Sequence, residues 1–159
     1  MAVKPIPEGY HTLTPFLTVR DATRAIEFYK QAFGAVQNGN VAKGPDGKVM
    51  HAELKIGDSM IMLSDEFPHA GALSPESGGA SSMGLHIYLD NVDAAFDRAV
   101  KAGAHVEMPV ADQFWGDRYG KLKDPFGYNW SIATHTKDLS MDEMQRSMED
   151  AMAKMKKSA

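Results

Sequence analysis

Histidine and glutamate side chains recur at alternate positions in two segments whose pattern is typical of β-strands. His51 and Glu53 are separated by one residue, so both side chains point to the same face of their strand. His86 occupies a similar position in a later strand. Imidazole and carboxylate groups bind Zn, Ni, Mn or Fe, so His51, Glu53 and His86 are a candidate set of ligands for a divalent metal. The alternative, which the sequence favours, makes them the polar lining of a pocket, with Glu53 paired to Arg118 or Lys55.

The stretch 112–132 contains both tryptophans of the chain. An aromatic wall built from Trp115 and Tyr119, with the guanidinium of Arg118 beside it, would suit an anionic or planar ligand. The same three residues would also be explained as hairpin packing with an ordinary ion pair, and both interpretations stay open. Trp130 falls on the apolar face by alternation, which predicts a role in the core.

A turn at 124–127 (DPFG) joins the last two strands of the predicted hairpin. Proline presets φ at the second turn position and glycine accepts a positive φ, so the four residues are typical of a tight turn. We expect Asp124 to stabilise this turn rather than to act in a reaction. His11 and His135 lie near strand ends, where solvent exposure is expected.

Alternation of apolar and polar residues predicts strands with one face toward helices and one mixed face. The strands are predicted at 11–19, 35–42, 49–57, 60–63, 84–90, 105–110 and on both sides of the hairpin turn, and the helices at 21–33 and 92–102. Pro15 cannot donate a backbone hydrogen bond, so the first strand should lie at an edge or contain a break. The helix-facing positions are Leu13, Leu17, Val19, Ala52, Leu54, Ile56, Leu85, Ile87, Leu89, Trp130 and Ile132. The predicted ligand-binding residues are Thr14, Phe16, His51, Glu53, Met62, His86, Tyr88, Trp115, Arg118, Tyr119 and Ser131.

The two halves of the chain repeat each other. Segment 19–26 aligns with segment 89–96 at an offset of 70 residues, and Gly57 precedes Gly127 by the same distance. Each half therefore gives one strand, one helix and three further strands. The sequence predicts an α+β fold in which two βαβββ modules, at about 10–66 and 83–135, form a curved eight-stranded mixed sheet with the helices outside. The intervening loop at 66–83, rich in Gly, Pro, Ser and Ala, connects the modules and is a candidate cover for a pocket.

Composition excludes several classes of function. The net charge is -4 and the only lysine cluster is at the C-terminal tail, which argues against a nucleic-acid partner. The chain contains no cysteine, so disulfide and thiolate chemistry are excluded. No apolar run has the length of a membrane-spanning helix or of a signal peptide, so we expect no membrane partner and a cytoplasmic protein.

A C-terminal amphipathic helix is predicted at 139–157, with Ser140 and Glu143 as a capping box. Its apolar stripe consists of Met141, Met144, Met148, Met152 and Met155. We expect this stripe to dock on the body of the protein or on the partner in a homodimer. A groove that binds varied partners is the alternative, since methionine surfaces adapt to different shapes.

Three segments together resemble the vicinal oxygen chelate superfamily, which includes glyoxalase I, bleomycin- and fosfomycin-resistance proteins and extradiol dioxygenases. These segments are 17–29 (LTVRDATRAIEFY), 89–96 (LDNVDAAF) and 124–128 (DPFGY), and the resemblance covers about residues 10–135. The closest likeness is to bacterial glyoxalase-like proteins with a Trp-Gly-Asp-Arg-like segment. It implies a single domain over 10–135, which commonly forms dimers.

The resemblance also implies a metal held by one side chain from each of four strands. Carried over by motif, these positions are Thr14, Glu53, Gly84 and Ser131. Only Glu53 has a side chain that binds such metals well, because glycine has no donor and neutral hydroxyls are weak ligands. This departure counts against metal-dependent glyoxalase or dioxygenase chemistry.

Three functions follow from these observations, in order of preference. The first is a protein of the bleomycin-resistance type that binds a small anionic or aromatic ligand on the concave sheet without the four metal ligands. The second is a metal-dependent lyase, isomerase or dioxygenase that uses His51, Glu53 and His86, with Glu53 as the best catalytic candidate. The third is an interaction protein that acts through its C-terminal helix.

Overall fold

The computed structural model describes residues 3–157 and contains eight strands and four α-helices in that range. The strands are β1 (Phe16–Val19), β2 (Val36–Lys43), β3 (Val49–Ile56), β4 (Ser59–Asp65), β5 (Gly84–Tyr88), β6 (His105–Asp112), β7 (Asp117–Lys123) and β8 (Asn129–His135). The helices are α1 (Ala22–Phe33), α2 (Pro75–Gly78), α3 (Val92–Ala102) and α4 (Met141–Lys157). The α+β class, the two βαβββ modules and the C-terminal helix are therefore confirmed.

The eight strands are hydrogen-bonded as two four-stranded mixed sheets, one in each module. The strand orders are β1-β4-β3-β2 and β5-β8-β7-β6, so the two modules have the same topology. The first strand of each module pairs in parallel with the last strand, and the remaining pairs are antiparallel. β1 and β5 consequently lie at the edges of their sheets, where Pro15 is tolerated just before β1.

The backbone of β1 is closed on its outer edge by a side chain from the other module. The hydroxyl of Tyr128 accepts a hydrogen bond from the Thr18 amide and donates one to the Thr18 carbonyl, both at 3.0 Å. Residues 11–15 lie outside the strand, in contrast to the predicted start at residue 11. Leu13 is 87% exposed, so its predicted helix-facing position is wrong. Leu13 lies in an extended segment that forms one wall of an open cavity, so its side chain is not packed beneath a helix.

Helix α1 begins and ends where its sequence indicates. The side chain of Asp21 accepts a hydrogen bond from the Arg24 amide, and Gly34 takes a left-handed conformation at the other end. Tyr29 is fully buried in α1, and α1 packs against α3. The core therefore lies between the helices and the helix-facing sides of both sheets. Leu17, Val19, Ala52, Leu54, Ile56, Trp130 and Ile132 are buried as predicted, whereas Leu85, Ile87 and Leu89 are only partly buried.

Asp124 joins its own turn to the core, so its role extends beyond the local turn. One carboxylate oxygen accepts hydrogen bonds from the backbone amides of Phe126 and Tyr128, each at 2.9 Å. The other accepts from the Tyr29 hydroxyl at 2.6 Å and from the indole of Trp130 at 2.8 Å. Burial raises the pKa of Asp124, and the four hydrogen bonds oppose that rise. The carboxylate therefore links the second module to helix α1 of the first.

The connection at 66–83 has more structure than the predicted loop. It contains a short 3-10 helix (Pro68–Ala70) as well as α2. Glu66 accepts a hydrogen bond from the Ser74 amide at 2.8 Å, and Arg20 donates to the Ser77 hydroxyl at 3.0 Å. Pro75 lies against Gly127, where an added Cβ would approach the proline ring to 2.8 Å. The segment is thus anchored on the hairpin turn and contributes no residue to the lining of the cavity beside β5.

Helix α4 projects from the two modules. Its capping box is confirmed: Glu143 accepts from the Ser140 amide at 2.8 Å, and Ser140 accepts from the Glu143 amide at 3.3 Å. None of its described residues is buried, and within residues 3–157 it packs against no other helix or strand to a substantial extent. The methionine stripe is therefore not buried on the body of the same chain, and only Met144 and Met148 are half-buried.

Candidate functional site

The first module carries a polar cluster around Glu53 on the face of its sheet that points away from the helices. The Glu53 carboxylate contacts the His51 ring at 3.1 Å and accepts a hydrogen bond from the side-chain amide of Asn38 at 2.7 Å. The Phe16 ring lies 6.0 Å from the His51 ring, and Met62 is the partner of Glu53 in the strand register. Four predicted ligand-binding residues, Phe16, His51, Glu53 and Met62, therefore lie close together.

Tyr10 completes this cluster from the segment before β1. Burial and the neighbouring Glu53 carboxylate raise the pKa of Tyr10 to about 12. Tyr10, His51 and Asn38 hold the pKa of Glu53 below its usual value, so the carboxylate stays ionised at neutral pH. The Tyr10 hydroxyl is buried and makes no hydrogen bond of good geometry within the described residues. The cluster is thus one carboxylate surrounded by donors.

The second module carries a row of aromatic rings. The ring of Trp115 meets Tyr119 edge-on at 5.3 Å, Tyr119 lies parallel to His86 at 6.0 Å, and His86 meets Tyr88 edge-on at 4.6 Å. We call these four residues the aromatic row. The Ser131 hydroxyl lies 2.7 Å from Nδ1 of His86 and fixes the orientation of that ring. Five predicted ligand-binding residues are therefore neighbours here.

The buried carboxylate of Asp117 binds two residues of the aromatic row. Its Oδ2 accepts hydrogen bonds from the Trp115 indole at 2.9 Å and from the Tyr88 hydroxyl at 3.2 Å, and its Oδ1 contacts His135 at 2.7 Å. Burial alone would raise the pKa of Asp117, but hydrogen bonds from His135, Trp115 and Tyr88 lower it below its usual value. Asp117 and then Asp138 raise the pKa of His135. An ionised Asp117 therefore fixes two rings of the row.

A cavity with a volume of about 570 Å³ lies along the free edge of β5. Its other wall is formed by the segment before β1, including His11 and Thr14, and by the turn between β3 and β4. The lining is mainly apolar, with Leu85, Ile87, Leu89, Ile61, Met60 and Trp130 among its residues. His86 and Tyr88 belong both to this wall and to the aromatic row, so the cavity and the row adjoin. The volume lies within the roughly 300–1,000 Å³ range of ordinary ligand pockets.

Arg118 is separated from the two aromatic residues with which the sequence grouped it. Its guanidinium forms two hydrogen bonds to Asp93 in α3, at 2.7 and 2.8 Å, and a third to Asp112 at 3.3 Å. Neighbouring residues on a strand point to opposite faces, so Arg118 turns toward the helix while Asp117 and Tyr119 take the other face. The ion-pair interpretation of Arg118 is therefore the one that the structure supports.

The metal ligands suggested by the sequence do not form one group. His51 and Glu53 belong to the first sheet, whereas His86 is hydrogen-bonded to Ser131 in the second. Among residues 3–157, no group of three or more His, Cys, Asp or Glu side chains is arranged to hold a metal ion. Thr14 lines the cavity and Gly84 has no side chain, so the residues present do not fit the four-ligand metal site that the resemblance implies.

No pattern in the sequence indicated that Asp117, Asn38 and Tyr10 belong to these clusters. His135 was expected only to be solvent-exposed. Asp117 pairs with His135 in the register of β7 and β8, and this contact depends on strand pairing across a turn. The only local signal was the spacing of Trp115 and Asp117, which puts both at alternate positions. His135 is indeed half-exposed, but it bonds two carboxylates, Asp117 and Asp138.

Comparison with known proteins identifies the family. The model of the glyoxalase/bleomycin resistance protein/dioxygenase superfamily matches residues 10–132. The chain belongs to this superfamily. It is 45% identical over 139 residues to the protein Mb0911c of Mycobacterium bovis, a match that covers 86% of this chain and 91% of that one. The glyoxalase superfamily is thus established for the part of the chain that contains both modules.

Two solved structures have a similar fold. The At5g48480 gene product of Arabidopsis thaliana is 27% identical, with a TM-score of 0.61, and the match covers 78% of this chain and 98% of that one. The protein PA1353 of Pseudomonas aeruginosa has a TM-score of 0.64 at 23% identity, over 80% and 99% of the two chains, and shows the shared fold alone. Within residues 3–157, no helix has the length and apolar character needed to cross a membrane. The glyoxalase-family fold does not by itself define a reaction.

Proposed function

We propose that this glyoxalase-superfamily protein binds a small molecule in the cavity along β5 and on the adjoining aromatic row. One observation carries the proposal: His86 and Tyr88 form part of a cavity of about 570 Å³ and also part of a continuous row of rings. A concave, mainly apolar wall with a few convergent polar groups is the usual form of a ligand site. Among the kinds of protein in this superfamily, the bleomycin-resistance type offers the best parallel for this role.

The chemistry of the walls narrows the class of ligand. Aromatic rings at edge-on and parallel angles favour a flat, apolar body, and the Tyr88 hydroxyl, which donates its proton to Asp117, can still accept a hydrogen bond from a polar group. Arg118 is bound by Asp93 and Asp112, so its charge is not available to an anion. The carboxylate of Asp117, which binds Trp115 and Tyr88 of the row, is ionised. We therefore place a neutral or cationic planar molecule ahead of an anionic one.

Nothing in the geometry favours the metal-dependent alternative. A metal enzyme would need His51, Glu53 and His86 around one ion, and these donors do not form one group in the described chain. We propose further that the protein works in the cytoplasm as a homodimer.

A pair of matched variants tests the location of the site. His86→Leu removes the ring shared by the cavity and the row. His51→Leu makes the same change on the first sheet, where His51, like His86, makes one side-chain hydrogen bond. Ligands are first identified by a thermal-shift screen of planar aromatic compounds, and their Kd values are then measured by calorimetry. We expect His86→Leu to raise Kd by about tenfold or more, which corresponds to about 1.4 kcal/mol, and His51→Leu to leave it unchanged.

The opposite result would overturn the location. If His51→Leu or Glu53→Gln weakens binding while His86→Leu does not, the ligand binds at the polar cluster of the first module. If stoichiometric metal accompanies the purified protein and is lost in Glu53→Gln, the metal-free proposal fails. If no compound in the screen binds, the proposed ligand class is wrong.

A further inference from the structure

Helix α4 has an apolar face that the two modules leave largely uncovered. Met141, Met152 and Met155 are 81%, 54% and 73% exposed, and Met144 and Met148 are only half-buried, although methionine side chains gain stability from burial. The helix has 17 residues and is about 25 Å long at 1.5 Å per residue. It lies beyond residues 10–132, where the family match ends, so the shared fold does not account for it. The face therefore requires an explanation of its own.

The spacing of the methionines is symmetric about Met148. Counted from Met141, the steps to Met144, Met148, Met152 and Met155 are 3, 4, 4 and 3 residues. At 100° per residue these five side chains fall within an arc of about 80° on one side of the helix. The stripe consequently reads the same in both directions. Two antiparallel copies aligned at Met148 would place every methionine opposite a methionine.

The charges on α4 agree with this antiparallel arrangement. The first turn carries Asp142 and Glu143, and the last turn carries Lys154, Lys156 and Lys157. An antiparallel pair places the acidic turn of one helix beside the basic turn of the other, whereas a parallel pair would bring like charges together. The same order of charges also stabilises each helix by itself through the helix dipole, so the charges alone do not require pairing, and the symmetric spacing of the methionines supports it separately.

We propose that α4 is a self-association surface that pairs antiparallel with α4 of a second copy of this chain. The contact is centred on Met148, which meets the same residue of the other copy. In an antiparallel pair centred on Met148, residues that lie equally far from Met148 in opposite directions face each other. Met144 therefore lies opposite Met152, and Met141 lies opposite Met155. The occupant of the methionine stripe is therefore another α4 helix rather than the body of the same chain.

Matched glutamate substitutions on two sides of α4 test the surface. Met148→Glu would place two carboxylates against each other at the centre of the pair, whereas Ala153→Glu adds the same charge outside the methionine arc. We expect sedimentation velocity over a concentration series to show a dimer for the wild type and for Ala153→Glu. Met148→Glu should raise the dimer Kd by roughly a hundredfold or more, since a buried like-charge contact is strongly unfavourable. Circular dichroism checks that both variants fold.

The absence of cysteine allows the orientation to be measured directly. With a short thiol-specific cross-linker, Met148→Cys should give a covalent dimer. Met141→Cys alone should not, because the two Met141 positions lie about 21 Å apart along an antiparallel pair at 1.5 Å per residue. The double variant Met141→Cys/Met155→Cys should cross-link again.

Each contrary result overturns the inference. A wild-type protein that stays monomeric at all accessible concentrations rules out self-association. A Met148→Glu variant that remains as dimeric as the wild type places the contact on another surface. Cross-linking of Met141→Cys alone shows a parallel pair. None of these results bears on ligand binding at the aromatic row, so the two proposals fail or survive separately.

Discussion

Asp124 gives the sharpest test of how this fold is held together. Its buried carboxylate accepts four hydrogen bonds: two from its own turn, one from Tyr29 in helix α1 and one from Trp130 in β8. Substitution by alanine would leave the Tyr29 hydroxyl and the Trp130 indole without a partner in a dry core. The perturbation therefore acts on the contact between the modules as well as on the turn.

The magnitude follows from these four bonds. A buried donor left without a partner costs about 1–3 kcal/mol, while removal of a buried charge returns part of its desolvation energy. The two effects together give an expected loss of about 3–5 kcal/mol in the free energy of unfolding for Asp124→Ala, in the range found for broken buried charge pairs. Tyr29→Phe removes one bond to a charged group and should cost about 1.5–3 kcal/mol.

Urea unfolding followed by circular dichroism measures these losses without depending on tryptophan fluorescence, which Asp124→Ala would itself alter. Asp46→Ala is the matched control, because Asp46 also accepts a backbone hydrogen bond in a turn but lies at the surface. We expect it to change stability by less than about 1 kcal/mol. If Asp124→Ala is no more destabilising than Asp46→Ala, the assignment of Asp124 as a link between modules is wrong.

Three further measurements test the site and its supports. Asp117→Asn should lower the pKa of His135 in an NMR titration, because the Asp117 carboxylate raises that pKa. The stabilisation of the folded state by this pair is present below the pKa of His135 in the unfolded chain. It is lost as pH rises through the higher pKa of His135 in the folded protein. Glu66 has its pKa lowered to about 2, so its stabilisation of the connecting segment is present above 4.5 and should be lost between pH 4.5 and 2. Glu66→Gln should remove that pH dependence in acid-unfolding curves. Gly116→Ala should destabilise the loop that carries Trp115, because φ at residue 116 is +98° and an added Cβ would meet the backbone after β8. The melting temperature measures this loss.

The fold was predictable because the repeat places local signals at the same offset in both modules. Asp21 and Gly34 define the ends of α1, and the alternation around Ala52 and Leu54 gives β3 its buried face. The first strand was predicted to begin too early, at residue 11 instead of Phe16, because alternation alone does not show that β1 needs a partner strand. The site was predictable only in part. His86, Tyr88, Trp115, Tyr119 and Ser131 come together as one cluster, but Arg118 turns to the opposite face and binds Asp93.

By itself, the sequence determined the family, the two modules, the faces of most strands and the methionine stripe of α4. These features depend on residue type and spacing along the chain, which local backbone geometry converts directly into faces and turns. The tertiary structure alone decided which polar residues meet. Asp117 reaches His135 through strand register, Tyr29 reaches Asp124 across 95 positions, and His86 lies apart from His51 because they belong to different sheets. Such contacts depend on how strands pair and modules pack, and no spacing in the sequence encodes them.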